Sequence, residues 1–133
     1  ILFAPASGRQ VTTLEEMFAP VASGMPLIAA NGAMLVRDGE VLYSVRVEPD
    51  VVRDIVGIVR ELAGSGVDVG VLLIGEKASY TERSDTRFVT EVHHYFHQLE
   101  VMDNILDAHD HVVKVAIFSF DGLDNVLPRF ELY

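Results

Sequence analysis

Ser7-Gly8-Arg9 stands between an apolar run, Ile1-Leu2-Phe3-Ala4-Pro5, and a stretch that reads as a helix. A small hydroxyl residue at the C-terminal end of a strand, followed by glycine and a helix N-terminus, offers a hydroxyl and backbone N–H groups to a phosphate. Arg9 adds a fork of charged donors that suits phosphate or carboxylate. Further along, a second apolar run, Pro26-Leu27-Ile28-Ala29-Ala30, ends in Asn31-Gly32-Ala33. If the two runs are adjacent parallel strands, Ser7 and Asn31 share one edge of the sheet, which is where open α/β sheets bind ligands. Alone, Ser-Gly-Arg reads as a turn with a solvated arginine and Asn-Gly as a turn. The pair, with a hairpin and a long α/β stretch behind it, is more specific.

The elements that must position these residues follow from patterning. Ile1 to Pro5 reads as a short buried strand that leaves through Ala6-Ser7-Gly8-Arg9. Thr13 precedes Glu16 by three residues, a capping-box spacing that predicts a helix from there to about Ala22. Pro26 to Ala30 is a second buried strand. Ala33 to Val36 and Val41 to Val47 flank Arg37-Asp38-Gly39-Glu40, where Asp-Gly favours a tight primed turn. After Pro49, the residues Val51, Val52, Ile55, Val56, Val59, Leu62 and Ala63 recur at helical spacing, and Gly64-Ser65-Gly66 ends the run. Val67 to Ile74 and Lys77 to Thr81 read as strands. Phe88, Val89, Val92, Tyr95, Phe96 and Leu99 predict a third helix, capped by Ser84 or Asp85. Val112 to Phe118 is the last strand. The order predicts an α/β piece followed by an α+β piece.

Composition narrows the class. The chain has 133 residues, half of them hydrophobic, with charges spread throughout. That suffices for one domain with a core, or for pieces of two. A formal charge of −10, with Lys77 and Lys114 as the two lysines, argues against a nucleic-acid partner. The longest apolar run, Val69 to Ile74, is far too short to span a bilayer. There is no cysteine, so disulfides and thiolate metal sites are excluded, and a cytoplasmic location without a membrane partner is expected. The chain opens in an apolar run without an initiator Met, so further residues are expected upstream.

Phe3-Ala4-Pro5-Ala6-Ser7-Gly8-Arg9, Pro26 to Ala33 as quoted, and Val41-Leu42-Tyr43 together resemble the Cof-type (IIB) branch of the haloacid dehalogenase superfamily. The resemblance implies a magnesium-dependent phosphatase of sugar phosphates and other small phosphorylated metabolites, acting through an aspartyl-phosphate. Residues 1–47 carry the close match and correspond to part of a Rossmann-like core. Residues 48–133 match by element order the α/β cap inserted in such cores, and that cap is incomplete. On this resemblance Ser7 is the catalytic second-motif hydroxyl that hydrogen-bonds the transferred phosphoryl group, and Gly8 keeps the backbone close to it. Arg9, Asn31 and Gly32 line the entrance facing the cap. The family's Asp-x-Asp-Gly-Thr motif, its later lysine and its acidic metal motif are absent. Magnesium is therefore implied for the parent protein without ligands in this stretch, and this stretch alone is expected to be inactive.

Other residues mimic function. Val115 to Leu123 leads an apolar strand into Phe120-Asp121-Gly122, but Ser119 stands where a nucleophilic aspartate would be needed. It reads as a strand and turn. His93 and His97 are four apart on a predicted helix, a spacing that can bind zinc. With His109 and His111 they read better as solvated or partly buried, and no metal ligand is assigned. Lys77 and Lys114 read as structural. Two other classes stay open: a non-catalytic module that binds a small anion, and a histidine-dependent metal-binding domain. Substrate and oligomeric state stay open too.

Overall fold

The computed structural model describes residues 3–133. Helix α1 runs over Val11–Phe18 and starts earlier than a Thr13 cap would place it. Thr13 and Leu14 are buried in its interior and Gln10 holds the cap position without a side-chain cap bond. Thr13 thus faces the core instead of capping, while Glu16 is exposed and pairs with His97. The helix also stops short of Ala22, ahead of Pro20, which has no N–H to continue the ladder.

Three antiparallel strands form the first sheet: β1 (Pro26–Ala29), β2 (Met34–Arg37) and β3 (Glu40–Ser44). Asp38 and Gly39 take φ of +51° and +78°, the two left-handed residues of a primed hairpin turn. Ahead of α1, Ala6 makes a single parallel bridge to Ile28. The Ile28 N–H donates to the Pro5 carbonyl and the Ser7 N–H to the Ile28 carbonyl, each at 2.9 Å. The parallel neighbours are present, but the expected strand is not a buried one. Ile1 and Leu2 lie outside the described residues, and Phe3 is 60% exposed.

Helix α2 (Pro49–Gly64) buries Val52, Ile55, Val56, Val59 and Leu62 as one stripe. Pro49 suits its first turn and Asp50 complements the helix dipole there. The stripe lies on a second sheet of β4 (Val69–Gly75), β5 (Ser79–Thr81), β6 (Leu99–Val101) and β7 (Val112–Ser119), in the order β6-β5-β4-β7. Every residue of β4 is buried. Its alternation sends Val69, Val71 and Leu73 under α2, while Leu72 and Ile74 enter a core shared with Leu14, Leu27, Met34 and Val36. That shared core joins the two sheets. Asp110 organises the β4–β5 turn, accepting from the Lys77 N–H at 2.9 Å and the Tyr80 hydroxyl at 3.0 Å.

Helix α3 (Thr86–His93) opens on Asp85, whose carboxylate accepts from the Phe88 N–H at 3.1 Å. It ends before Leu99, contrary to the periodicity. Leu99 instead begins β6, which pairs in parallel with β5. The chain must turn over residues 94–98 to reach that edge, so tertiary pairing wins over local pattern. Phe96 is still buried, from the turn rather than from a helix. The fold class is α/β, as the patterning predicts.

Candidate functional site

The loop after the parallel bridge is stitched to the end of β1. The Asn31 N–H donates to the Ser7 carbonyl at 3.1 Å and the Ala30 N–H to the Arg9 carbonyl at 3.0 Å. Ala30, Asn31 and Gly32 all have positive φ, at +51°, +59° and +94°. Asparagine and glycine tolerate that region, whereas alanine is strained there by about 1–2 kcal/mol. The reversal puts Asn31 directly against Gly8: a Cβ on Gly8 would lie 2.3 Å from the Asn31 Oδ1. Glycine at position 8 is what permits this approach. The Arg9 N–H donates to the Ser7 Oγ at 3.2 Å, leaving the serine's own O–H to donate elsewhere. Gly32 sits one residue on, exposed, where its positive φ serves the turn.

Gln10 anchors this loop from below. Its Nε2 donates to the Ser79 Oγ at 2.5 Å and to the Gln98 carbonyl at 3.2 Å. Its Oε1 accepts from the Gln98 N–H at 3.3 Å. The side chain is therefore spent on β5 and the turn before β6, which is why it does not cap α1. Sequence patterning gave no sign of this residue.

An open cleft of about 510 Å³ lies beside the loop. Ser7, Gly8 and Arg9 form one wall, and Lys114, Ala116 and Phe118 of β7 form another. Glu91, Tyr95 and Phe96, from α3 and the turn after it, close the side. Residues 114, 116 and 118 share a face because strand side chains alternate. Lys114 pairs with Ile74 in the same unbroken register that carries Val115 to Ser119, and the ladder slips only beyond it, where Val112 pairs with Gly75. Val113 is the extra residue there, which puts Val112 under α2, while regular alternation puts Lys114 in the cleft with Ala116 and Phe118. The Lys114 Nζ lies 3.4 Å from the Gly8 carbonyl, and burial pushes its pKa down. Lys114 reads from sequence as structural, yet it stands at the cleft. The available signal was a single charge interrupting Val112 to Phe118.

Comparison with known proteins follows the same lines. The sequence matches haloacid dehalogenase-like hydrolases over residues 1–125. The chain belongs to that family. It is 26% identical over 132 residues to the Escherichia coli 5-amino-6-(5-phospho-D-ribitylamino)uracil phosphatase YbjI, covering 98% of this chain and 46% of that protein. The chain thus spans about half the length of its curated relative. A solved structure from Eubacterium rectale superposes with a TM-score of 0.78 at 17% identity, over 99% of this chain and 51% of that one. BT1666 from Bacteroides thetaiotaomicron, described among phosphatases of the same superfamily, gives 0.66 at 22% identity, over 96% and 47%. At these identities the solved structures establish the shared fold.

Within this haloacid dehalogenase-like fold the other sequence candidates fall away from the cleft. The Ser119 Oγ donates to the Gly122 carbonyl at 2.6 Å, and Asp121 accepts from the Asp68 N–H at 2.7 Å. Both close the turn after β7. Because α3 ends at His93, His93 and His97 do not share a helix face, and His97 pairs with Glu16 at 2.8 Å. Among the described residues no group of three or more His, Cys, Asp or Glu is arranged around a metal position. No helix among them is long and apolar enough to cross a membrane.

Proposed function

We propose that the protein is a phosphatase of small phosphorylated metabolites. In this reading residues 1–47 contribute to the catalytic core and residues 48–133 to the cap that faces it. The Ser7 hydroxyl and the Gly8 backbone bind the transferred phosphoryl group, and Arg9, Asn31 and Gly32 line the entrance. The observation that carries this is the stitching of Ser7-Gly8-Arg9 to Ala30-Asn31 at one sheet edge, facing an open cleft. The likeness to YbjI, a phosphatase of a phosphorylated ribityl compound by name, supports a small organic phosphate ester as substrate. The lack of cysteine suits a cytoplasmic enzyme, and the negative net charge suits a protein that does not bind nucleic acid.

The family implies magnesium, but the donors present do not fit it. The cleft beside Ser7 is lined by the Arg9 guanidinium and the Lys114 ammonium, with Glu91 as its one carboxylate. Two cations against one carboxylate disfavour magnesium, which is usually bound through one or two carboxylates. On this reading the metal carboxylates and the aspartate nucleophile come from outside these 133 residues. The same excess of cations over carboxylates in the cleft favours one alternative, a non-catalytic module binding a small anion. The test is phosphate release from small esters by the full-length protein, with and without magnesium. Ser7→Ala is expected to lower kcat/KM by about 10²–10³-fold, the scale of removing one preorganised donor, with Tm unchanged. Ser7-dependent phosphate binding without magnesium-dependent turnover would instead identify the binding module.

A further inference from the structure

Lys114 has no internal reason for its position. A half-buried ammonium loses hydration, and proteins compensate by pairing it. The chain carries 20 acidic residues against 10 lysines and arginines, so acidic partners are plentiful. Among the described residues none shifts Lys114: burial is the one influence on its pKa. Glu91, on the same cleft, has its carboxylate 4.0 Å from the His94 ring. Among the described residues the one polar contact of the Lys114 Nζ is the Gly8 carbonyl at 3.4 Å, longer than an ordinary N–H···O bond. The register of β7 against β4 turns this lysine into the cleft, on the face of Ala116 and Phe118.

Its surroundings describe a ligand. Gly8 is next to Ser7, and the ammonium lines the same cleft, in contact with the Gly8 carbonyl and not with the Ser7 hydroxyl. Tyr95, Phe96 and Phe118 give the rest of the cleft an apolar, aromatic lining. A carbon frame against those rings would carry a charged group to Lys114. We propose that Lys114 is a specificity-determining residue that selects phosphate esters whose leaving group bears a second negative charge. This rests on the reading of Ser7-Gly8-Arg9 as the phosphoryl site.

The test compares 4-carboxyphenyl phosphate with 4-methylphenyl phosphate, which differ at the ring substituent, in the full-length protein with and without Lys114→Met. Hydrolysis and equilibrium binding are both measured, and Lys77→Met, an exposed lysine outside the cleft, controls for net charge. Lys114→Met is expected to lose roughly 10- to 100-fold of the preference for the carboxylate ester, the scale of a charge-assisted hydrogen bond. Activity on the methyl ester falls by less than activity on the carboxylate ester, and the Lys77→Met ratio stays that of the wild type. An equal loss on both esters would make Lys114 a phosphoryl contact and overturn the proposal. So would an unchanged ratio, or the same change in Lys77→Met. If Lys114→Met does not fold, Lys114→Gln is used, judged by the same ratio. A wild type that hydrolyses neither ester but binds the carboxylate one through Lys114 would remove the phosphatase reading and keep this one.

Discussion

Gln10 has no part in the proposed chemistry, yet it fixes where the chemistry sits. It is 7% exposed and its amide bonds both to Ser79, which is fully buried, and to the Gln98 backbone. Burying an amide is tolerable when its donors and acceptor are all met. Replacement by leucine leaves the Ser79 hydroxyl and the Gln98 N–H without that partner, at a cost of about 1–3 kcal/mol for an unsatisfied buried group. Gln10→Leu is therefore expected to lower stability in a urea titration by that amount. It should also loosen the Ser7-Gly8-Arg9 loop, seen as weaker phosphate binding. A urea midpoint equal to wild type would show that the two contacts carry no net stability.

At the scale of elements, β4 and α3 fit through one glycine. A Cβ on Gly70 would lie 2.3 Å from the Phe88 ring and 2.8 Å from the Arg83 side chain. The missing side chain lets Phe88 pack edge-on against Phe118, with centroids 5.7 Å apart, and lets Arg83 cover the Phe88 ring at 4.9 Å. Phe118 is also a wall of the cleft, so the packing of α3 and the shape of the site are coupled. Gly70→Ala is expected to cost about 1–3 kcal/mol by overpacking. Combining it with Phe88→Leu, which frees the clashing ring edge, should give less than the sum of the two single losses. Strict additivity in that cycle would mean that Phe88 is not what Gly70 makes room for.

At the scale of the whole molecule, the two sheets are joined by the shared core and by Glu76. Its carboxylate accepts from the Ser44 Oγ at 2.6 Å and from the Arg46 Nε at 3.1 Å. Burial alone would raise the Glu76 pKa, but the Ser44 hydroxyl, with Arg46, outweighs it and holds it below the usual carboxylate range. For Asp110, burial alone would raise the pKa, but the Lys77 and His111 N–H groups and the Tyr80 hydroxyl outweigh it and hold it low. The Tyr80 phenol is pushed up to about 12 by burial and by Asp110. Depressed carboxylates bind fewer protons folded than unfolded, so stability rises with pH there. Their contribution is fully present above the unfolded values of about 4 and is lost as pH falls through the lower folded values. Thermal stability, read as Tm, should thus fall on acidification below about pH 5. Asp110→Asn and Glu76→Gln should each flatten that slope. A second expectation concerns activity. The 133-residue chain by itself should release no phosphate from small esters with magnesium above a Ser7→Ala control. Clear magnesium-dependent turnover that vanishes in that variant would place the whole active site within these residues.

Sequence by itself determined what is local. Asp38-Gly39 specified its primed turn, because few residues accept two successive positive φ values. The stripe from Val52 to Leu62 specified α2, because one apolar face must be buried. The Ser7-Gly8-Arg9 and Asn31-Gly32 pair pointed to one sheet edge, since a short β-α-β crossover returns beside its start. Tertiary structure decided whatever depended on a partner distant in sequence. Thr13 became a buried face of α1, and Leu99 left a helical pattern to pair with β5. The Gln10 contacts span 69 and 88 residues, and no spacing rule reaches that far. Lys114 is the clearest case: which face it takes depends on the register in which β7 pairs with β4. A shift of one residue in that register would put the ammonium on the opposite face of the sheet, under α2 and away from the cleft.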